Sequence, residues 1–268
     1  MKSEGDGWLA LSGAICVVTG GGSGIGRATV RELASIGAHV AILDVDDSAA
    51  KRLASEITGN DGVATAFGCD VTSEEDLIAV AKRIEVELGS VDILVNNAGV
   101  LRSGALEHLA IEDWQSLLDV NLTGYLRCAQ TFGRPMLERG SGSMVHIASI
   151  AASEPQANSG AYSPGKAAVA MLSRQLAYEW GPRGVRSNTV SPGLVRTALS
   201  EAFYQEPGVL EERNAVVPMR RVGDPVDVAR AVVFLASPMA AYINGQDLLV
   251  DGGLAQALMG FVPRPGFE

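Results

Sequence analysis

The chain has 268 residues, of which 47% are hydrophobic and 19% are charged, a composition typical of a compact folded protein and unlike that of a disordered one. Its net charge of −10, from 21 basic and 31 acidic residues, argues against a protein that binds nucleic acid or an anionic membrane surface through a basic face. No linker, repeat or low-complexity segment divides the sequence, so we predict a single domain over residues 1–268.

The cysteines and histidines do not suggest a metal site. There are three of each, and their spacing matches no ligand pattern, so reduced thiols and structural imidazoles are expected. The N-terminus lacks a cationic segment followed by an apolar one, and no apolar run is long enough to span a membrane. We therefore predict a soluble, cytoplasmic protein with no metal, no nucleic-acid partner and no membrane partner.

Short β-branched runs alternate with segments of helical periodicity along most of the chain. Strands are predicted at residues 14–19, 39–43, 64–69, 92–95, 143–148, 186–190 and 248–250. Helices are predicted at residues 25–36, 48–57, 73–88, 111–138, 159–180 and 226–236. Because strands that alternate with helices pair in parallel, we predict an α/β fold, a Rossmann-like doubly wound parallel sheet of about seven strands with helices on both faces.

Three predicted helix ends carry recognisable signals. Gly37 follows the first helix, where a glycine often succeeds the C-cap. Thr72 and Glu75 have the spacing of a capping box at the start of the third helix. Asp224 before Pro225 is typical of an N-cap followed by the first helical residue.

The first predicted strand leads directly into a glycine-rich turn that is followed by a helix. The turn contains Gly20, Ser23, Gly24, Ile25 and Gly26. Glycine lets the backbone approach a phosphate closely, and a helix N-terminus supplies free N–H groups for it. The spacing is G-x-x-x-G-x-G, which is neither a strict G-x-G-x-x-G nor a Walker loop. The turn predicts a pyrophosphate site, although a tight strand-to-helix connection alone could also explain it.

Asp44 ends the second predicted strand, about 20 residues past the glycines. A carboxylate at this place can accept both ribose hydroxyls and would repel a 2′-phosphate. We therefore predict NAD as the cofactor, with NADP less favoured; Arg27, on the helix just after the turn, is a nearby cation that leaves NADP open. The alternative for Asp44 is a solvated carboxylate beside Asp46 and Asp47.

Tyr162 and Lys166 are four residues apart in a segment predicted to be helical, so they share one face of the helix. A nearby ammonium favours the phenolate, and a tyrosine with a lowered pKa can transfer the proton of an alcohol or ketone. Taken alone, the pair could equally be two unrelated residues. Because Pro164 lies between them, the helix should begin close before Tyr162 or bend there.

Together these residues resemble the short-chain dehydrogenase/reductase family, over roughly residues 10–254. The matching motifs, in the family's order, are Thr19-x-x-x-Gly-x-Gly, Asp44, Asp70-Val71, Asn96-Asn97-Ala98-Gly99, Asn121, Ser149, Tyr162-x-x-x-Lys166, Pro192-Gly193 and Val195-x-Thr197. One local departure is Pro164-Gly165, where an alanine-serine pair is common in the family.

The resemblance implies a role for each residue of a shared site. Tyr162 would be the general acid/base, Lys166 would lower its pKa and hold the nicotinamide ribose, and Ser149 would hydrogen-bond the substrate oxygen. Asn121 would help to hold a water linked to Lys166, or would instead cap a kink in its helix. The other implied cofactor contacts are Asp70 and Val71 at the adenine, Asn97, Ala98 and Gly99 along the cofactor, and Val195 and Thr197 at the nicotinamide amide and the phosphates.

The same resemblance implies a substrate pocket formed by residues 150–158, by Leu194 and by a lid at residues 198–217. Ser149, Gln156 and Tyr162 are the predicted substrate contacts. Glu154 could also contact a polar substrate, and Phe203 and Tyr204 could cover an apolar or cyclic one, although all of these could simply pack the lid.

The predicted function is NAD-dependent interconversion of a secondary alcohol and its ketone, with a small-molecule substrate that could be cyclic, a polyol or a sugar. An epimerase or dehydratase with the same cofactor, and a non-catalytic nucleotide-sensing protein, remain as alternatives. Proteins of this kind are often tetramers, so a homotetramer is predicted. Residues 258–268, rich in proline and glycine, either fray or cross a subunit interface.

Overall fold

A computed structural model describes residues 8–262, and in it seven strands form one parallel sheet. The strands are β1 Ile15–Thr19, β2 His39–Asp44, β3 Val63–Gly68, β4 Ile93–Asn96, β5 Gly142–Ile147, β6 Val185–Pro192 and β7 Asp247–Val250. Their order across the sheet is β3-β2-β1-β4-β5-β6-β7, and every neighbouring pair is parallel. The predicted α/β fold is confirmed, and the strand order reverses between β1 and β4, where such sheets bind their ligands.

Helices cover both faces of the sheet. They are α1 Gly24–Ser35, α2 Asp47–Thr58, α3 Glu74–Glu87, α4 Ile111–Leu118, α5 Gly124–Arg139, α6 Tyr162–Trp180, α7 Val209–Val216 and α8 Pro225–Ala236. Successive strand residues alternate between two apolar clusters, so that Val18 packs with α1, α2 and α8 while Val17 packs with α3, α5 and α6. Within the described residues, each helix is either too short or too polar to cross a membrane.

Two of the three predicted helix ends are confirmed and one is wrong. Gly37 follows α1 with a φ of +83°, and Asp224 caps α8 in a capping box. At α3 the N-cap is Ser73, whose hydroxyl accepts from the Asp76 N–H at 3.1 Å. Thr72 lies one residue earlier, in the turn before the helix, where its hydroxyl donates to Asp70 Oδ1 at 2.8 Å.

The single helix predicted over residues 111–138 is interrupted in the structure. A π-helical turn, Asp119–Thr123, separates α4 from α5. Asn121 lies at the centre of this turn and is fully buried. Hydrophobic periodicity continues through α4 and α5, so it predicts one helix and cannot detect the wider turn between them. Such turns often occur at functional sites.

Helix α6 begins at Tyr162, three residues later than predicted, so Pro164 lies in its first turn. A proline is tolerated there because the first N–H groups of a helix have no partner within it. The neighbouring Gly165 packs against α4, where an added Cβ would lie 3.1 Å from Leu118 Cδ2. The departure from the family's alanine-serine pair therefore has a packing reason and displaces neither Tyr162 nor Lys166.

Candidate active site

A cleft of about 1010 Å³ opens along the carboxyl ends of the strands. Its size is enough for a dinucleotide and a small substrate together. The predicted site residues that line it are Gly20, Ser23, Gly24, Ile25, Asp44, Asp70, Val71, Asn97, Ala98, Gly99, Ser149, Gln156, Tyr162, Lys166, Val195 and Thr197. Gly26 and Asn121 are the two predicted residues that do not line it.

The glycine turn between β1 and α1 has the conformation that its sequence requires. Gly20 and Gly24 have φ values of +61° and +51°, in the left-handed region that favours glycine. An added Cβ on Gly20 would lie 2.8 Å from Ala98 Cα. Ser23, the N-cap of α1, makes no side-chain cap hydrogen bond, so the N–H groups of the first turn of α1 are not capped by it.

Gly26 has a packing role behind the turn. A Cβ at this position would lie 2.2 Å from the Gly20 carbonyl oxygen and 2.5 Å from Asn97 Nδ2. Only a residue without a side chain fits between these atoms. The cofactor contact predicted for Gly26 therefore stays a prediction, while its glycine is explained by the close approach of two backbone segments.

The end of β4 is clamped to the glycine turn by Asn97. Its Nδ2 donates to the carbonyl oxygens of Thr19 and Gly20, both at 3.0 Å. In return, Thr19 Oγ1 accepts from the backbone N–H groups of Asn97 and Ala98 at 3.0 and 3.1 Å. These contacts hold two walls of the cleft together.

Asp44 sits at the far end of the cleft and is tied to the glycine turn. Its Oδ2 accepts from the Gly22 N–H at 2.8 Å, and its Oδ1 accepts from the Asp46 N–H at 2.9 Å. These bonds place the carboxylate in the cleft wall, unlike the freely solvated group of the alternative reading. Arg27 does not line the cleft, and its charge acts on Glu56 instead, whose pKa it helps to lower after the larger effects of Arg31.

Asn121 ties the π-helical turn to the segment that follows β4. Its Oδ1 accepts from the Val100 N–H at 2.8 Å, and its Nδ2 donates to the Val100 carbonyl at 2.9 Å. The amide therefore joins two segments of the chain, and it does not cap a kink in its own helix as the alternative predicted. The role in a water relay to Lys166 stays a prediction.

Ser149 and Tyr162 meet where β5 ends and α6 begins. Ser149 Oγ accepts from the Ala151 N–H at 3.1 Å, and both Ser149 and Tyr162 line the cleft. Burial raises the pKa of Tyr162 above its ordinary value, while the nearby Ser149 hydroxyl acts in the lowering direction but is the smaller effect. The pair can therefore hold one oxygen atom of a ligand and exchange a proton with it.

The lowered tyrosine pKa that was predicted is not found in this structure. The Lys166 ammonium lies 5.8 Å from the centroid of the Tyr162 ring, and its hydrogen bonds go to the Ile147 carbonyl at 2.7 Å and the Tyr125 hydroxyl at 3.3 Å. Since Lys166 is held by these partners, desolvation dominates at the phenol. The same burial lowers the pKa of Lys166 to about 7.

Tyr125 is a site residue that sequence reasoning missed. It lies on α5 and is almost fully buried, and its hydroxyl donates to the Ile147 carbonyl at 3.1 Å while it accepts from Lys166 Nζ. Its ring centroid is 5.2 Å from that ammonium. An aromatic residue on an apolar helix face is ordinarily assigned to the hydrophobic core. However, a buried tyrosine hydroxyl needs a hydrogen-bond partner, and this requirement could have indicated a polar neighbour.

The beginning of the C-terminal segment contributes to the cleft of its own chain. Leu254, Ala255 and Leu258 line the cleft near the lid. Leu258 nevertheless remains 74% exposed. Whether residues 258–268 cross a subunit interface stays a prediction, because residues 263–268 lie outside the described part.

Comparisons with known proteins agree with this geometry. A family model described as Enoyl-(Acyl carrier protein) reductase matches residues 20–255. The chain is 41% identical to D-threitol dehydrogenase of Mycolicibacterium smegmatis over 243 residues, 91% of this chain and 93% of that protein. It is 39% identical to galactitol 2-dehydrogenase (L-tagatose-forming) of Cereibacter sphaeroides over 250 residues, 91% and 95% of the two chains. The crystal structure of a putative NAD(P)-dependent gluconate 5-dehydrogenase from Beutenbergia cavernae, with bound NADP, matches with a TM-score of 0.88 and 39% identity, covering 93% and 100% of the two chains.

Proposed function

This chain belongs to the short-chain dehydrogenase/reductase family and is an oxidoreductase that interconverts a secondary alcohol and its ketone, and from that premise we propose that it uses NAD and acts on a polyol or a sugar derivative. The observation that carries the proposal is the meeting of Ser149 and Tyr162 in one cleft with the glycine turn and Asp44. The proposed alternatives, an epimerase or dehydratase and a nucleotide sensor, have no comparable support.

The cleft fits a nicotinamide dinucleotide at several points. Gly20 and Gly24 both line the cleft with positive φ values, so backbone without a side chain faces the space where a phosphate would bind. The uncapped N-terminus of α1 faces the same space and suits a pyrophosphate. When bound, the nicotinamide would accept or supply the hydride, which no side chain can do.

The preference for NAD over NADP is supported by the charges around Asp44. At that end the cleft is lined by Asp44, Val45 and Asp70, with two carboxylates and no cation among them. A 2′-phosphate would meet like charge there, whereas ribose hydroxyls could donate to Asp44. The NADP in the Beutenbergia cavernae structure is a property of that protein. The cofactor preference of this chain is tested by kinetics with both cofactors.

In the proposed mechanism, Ser149 donates a hydrogen bond to the substrate oxygen and Tyr162 exchanges the proton with it. Reduction uses the neutral phenol as acid, and oxidation uses the phenolate as base. Because burial raises the pKa of Tyr162, the phenol dominates at neutral pH in the free protein. We therefore expect the rate of alcohol oxidation to rise with pH on the alkaline side. Lys166 lines the same cleft, with its ammonium bound to the Ile147 carbonyl and 5.8 Å from the centroid of the Tyr162 ring.

A screen for NADH formation tests the reaction and the substrate class together. The purified protein would be assayed with NAD and with polyols, aldonates, hydroxysteroids and simple secondary alcohols. We expect turnover on polyols or sugar acids, at values of kcat/KM well above those for simple alcohols, because their additional hydroxyls can bind to the polar groups of the pocket such as Gln156. NADH formation only with hydroxysteroids would contradict the substrate class, and none with any alcohol would contradict the proposed function.

Replacing Asp44 with alanine is expected to weaken the preference for NAD. The change removes a charged acceptor for the ribose hydroxyls and the carboxylate that would repel a 2′-phosphate, so kcat/KM with NAD should fall by about 10- to 100-fold relative to that with NADP. The measurement is the ratio of kcat/KM for the two cofactors. Asp47→Ala is the matched control, since Asp47 begins α2 nearby but does not line the cleft. An unchanged ratio in Asp44→Ala would disprove the ribose role.

A cytoplasmic homotetramer completes the proposal. The edge strand β7 leaves Leu248 and Leu249 39% and 37% exposed, and an exposed apolar edge strand is a natural site for pairing between subunits. The mass of the native protein in solution tests the assembly, and a monomer at micromolar concentration would contradict it.

A further inference from the structure

The lid brings one cationic side chain into the substrate half of the cleft. Arg213, on α7, lines the cleft together with Ser149 and Tyr162. Its guanidinium carbon lies 5.1 Å from the centroid of the Phe203 ring and 4.8 Å from that of Tyr204. Two aromatic rings of the lid therefore restrain the guanidinium by cation–π contacts.

The guanidinium of Arg213 has no acceptor of its own within residues 8–262: no carboxylate lies within ion-pair distance, and no hydrogen bond satisfies its N–H groups. Arg196 is the contrasting case. It also stacks on Tyr204, at 5.4 Å, but its Nε and Nη2 donate to the Glu201 carboxylate at 3.0 and 2.6 Å. Stacking contacts the face of a guanidinium and leaves its N–H donors pointing outward in the plane.

The hydroxyl of Tyr204 gives a second, independent sign of missing polar contacts in the lid. This oxygen is buried and, among the described residues, has no hydrogen-bond partner. Buried polar atoms are ordinarily satisfied, and an unsatisfied one beside a ligand cleft is often completed by a bound molecule. Arg213 and Tyr204 both line the cleft, so two polar side chains of the lid lack a polar partner among the described residues.

We propose that Arg213 binds a carboxylate of the substrate, so that the preferred substrate is a polyhydroxy acid instead of a neutral polyol. This inference rests on the proposed oxidation of a secondary alcohol and specifies the substrate class of that same site. A planar carboxylate matches the guanidinium fork. A phosphate ester is less well matched, because the substrate half of the cleft offers no second cation beyond Lys166, which is bound to Ile147 and Tyr125.

Glu154, which lines the cleft, carries a charge that opposes binding of an acid. It lies on the loop after β5 and is exposed, so water and salt screen its repulsion of an acid. Arg213 is half-buried between its two aromatic neighbours, where a charge-assisted hydrogen bond is worth more than at the surface. The attraction of Arg213 for an anion therefore outweighs the screened repulsion by Glu154.

Matched pairs of acids and alcohols test the inference. Wild-type kcat/KM would be measured with NAD for galactonate against galactitol and for threonate against threitol. We expect the acid of at least one pair to be preferred by about 10-fold or more, and Arg213→Gln to lower that acid-to-polyol ratio by about 10- to 100-fold, mainly through KM. Arg213→Lys should restore part of the ratio, since it keeps the charge but not the fork.

Arg52→Gln is the control variant. Arg52 is exposed on α2 and does not line the cleft, so this substitution removes the same charge at a place outside the site. An Arg213→Gln protein that lost activity equally on acid and polyol would show that Arg213 only packs the lid, and would overturn the inference. A wild-type preference for the polyols would overturn it as well, while leaving the proposed function intact. Absence of turnover on every alcohol would instead remove the proposed function on which it rests.

Discussion

Replacing Tyr162 with phenylalanine is expected to lower kcat by about 10³-fold while the affinity for NAD stays within about twofold. The change removes only the hydroxyl that exchanges the proton, and the ring keeps its place at the start of α6. The hydroxyl of Ser149 can still hold the substrate oxygen but cannot serve as an acid or base of suitable strength. Steady-state kinetics would give kcat, and quenching of protein fluorescence on titration with NADH would give the affinity.

The matched control for this variant is Tyr178→Phe. Tyr178 lies on the same helix but is 82% exposed and does not line the cleft, so kcat should remain at the wild-type level. The wild-type rise of the oxidation rate with pH should also be absent from any residual activity of Tyr162→Phe. A kcat within tenfold of the wild type would refute the role of Tyr162 as acid and base.

Replacing Lys166 with methionine is expected to abolish most activity and yet stabilise the fold. Burial lowers the pKa of this lysine from 10.5 to about 7, so the unfolded chain holds the proton more tightly than the folded chain does. The resulting penalty on folding is fully present below pH 7 and disappears as the pH rises toward 10.5. Methionine removes the penalty but also loses the bonds to Ile147 and Tyr125, so a net gain of about 2 kcal/mol in the free energy of unfolding is expected at pH 6.

Thermal unfolding at two pH values tests whether Lys166→Met raises or lowers the free energy of unfolding. The melting temperature of Lys166→Met should exceed that of the wild type by several degrees at pH 6, and the difference should shrink by pH 9.5. Lys51→Met serves as control, because Lys51 is exposed and forms a surface ion pair with Asp47 within α2, so its effect should be small at both values. A variant that is less stable than the wild type at pH 6 would mean that the ammonium of Lys166 stabilises the fold.

Much of the fold followed from the sequence because the central strands of the sheet are buried on both faces. Runs such as β1 and β2 are apolar almost throughout, which is typical of parallel strands between two layers of helices. The site at the strand ends followed in turn, since the glycine turn, Asp44 and Ser149 lie at the end of a strand or within two residues of it. Parallel strands bring their carboxyl ends to one edge, so residues far apart in sequence could be placed together.

The features that sequence reasoning missed depend on contacts between distant segments. The π-helical turn at Asn121 changes hydrogen bonding without changing the hydrophobic pattern. The raised pKa of Tyr162 follows from burial and from where the Lys166 ammonium points, and neither is encoded in their spacing of four residues. Tyr125 meets Lys166 41 positions away. Arg213 meets Phe203 and Tyr204 within the same lid, but the stacking depends on how the lid folds, which no periodicity predicts.

The clamp between Asn97 and the glycine turn also constrains the order in which the protein can fold. It joins residues separated by 77 and 78 positions, so the full glycine motif is translated long before its partner strand exists. Closing a loop of this length costs conformational entropy, which only the contacts made by β4 and the residues after it can offset. An isolated fragment that ends before β4 would therefore contain the whole dinucleotide signature and still lack a nucleotide-binding surface.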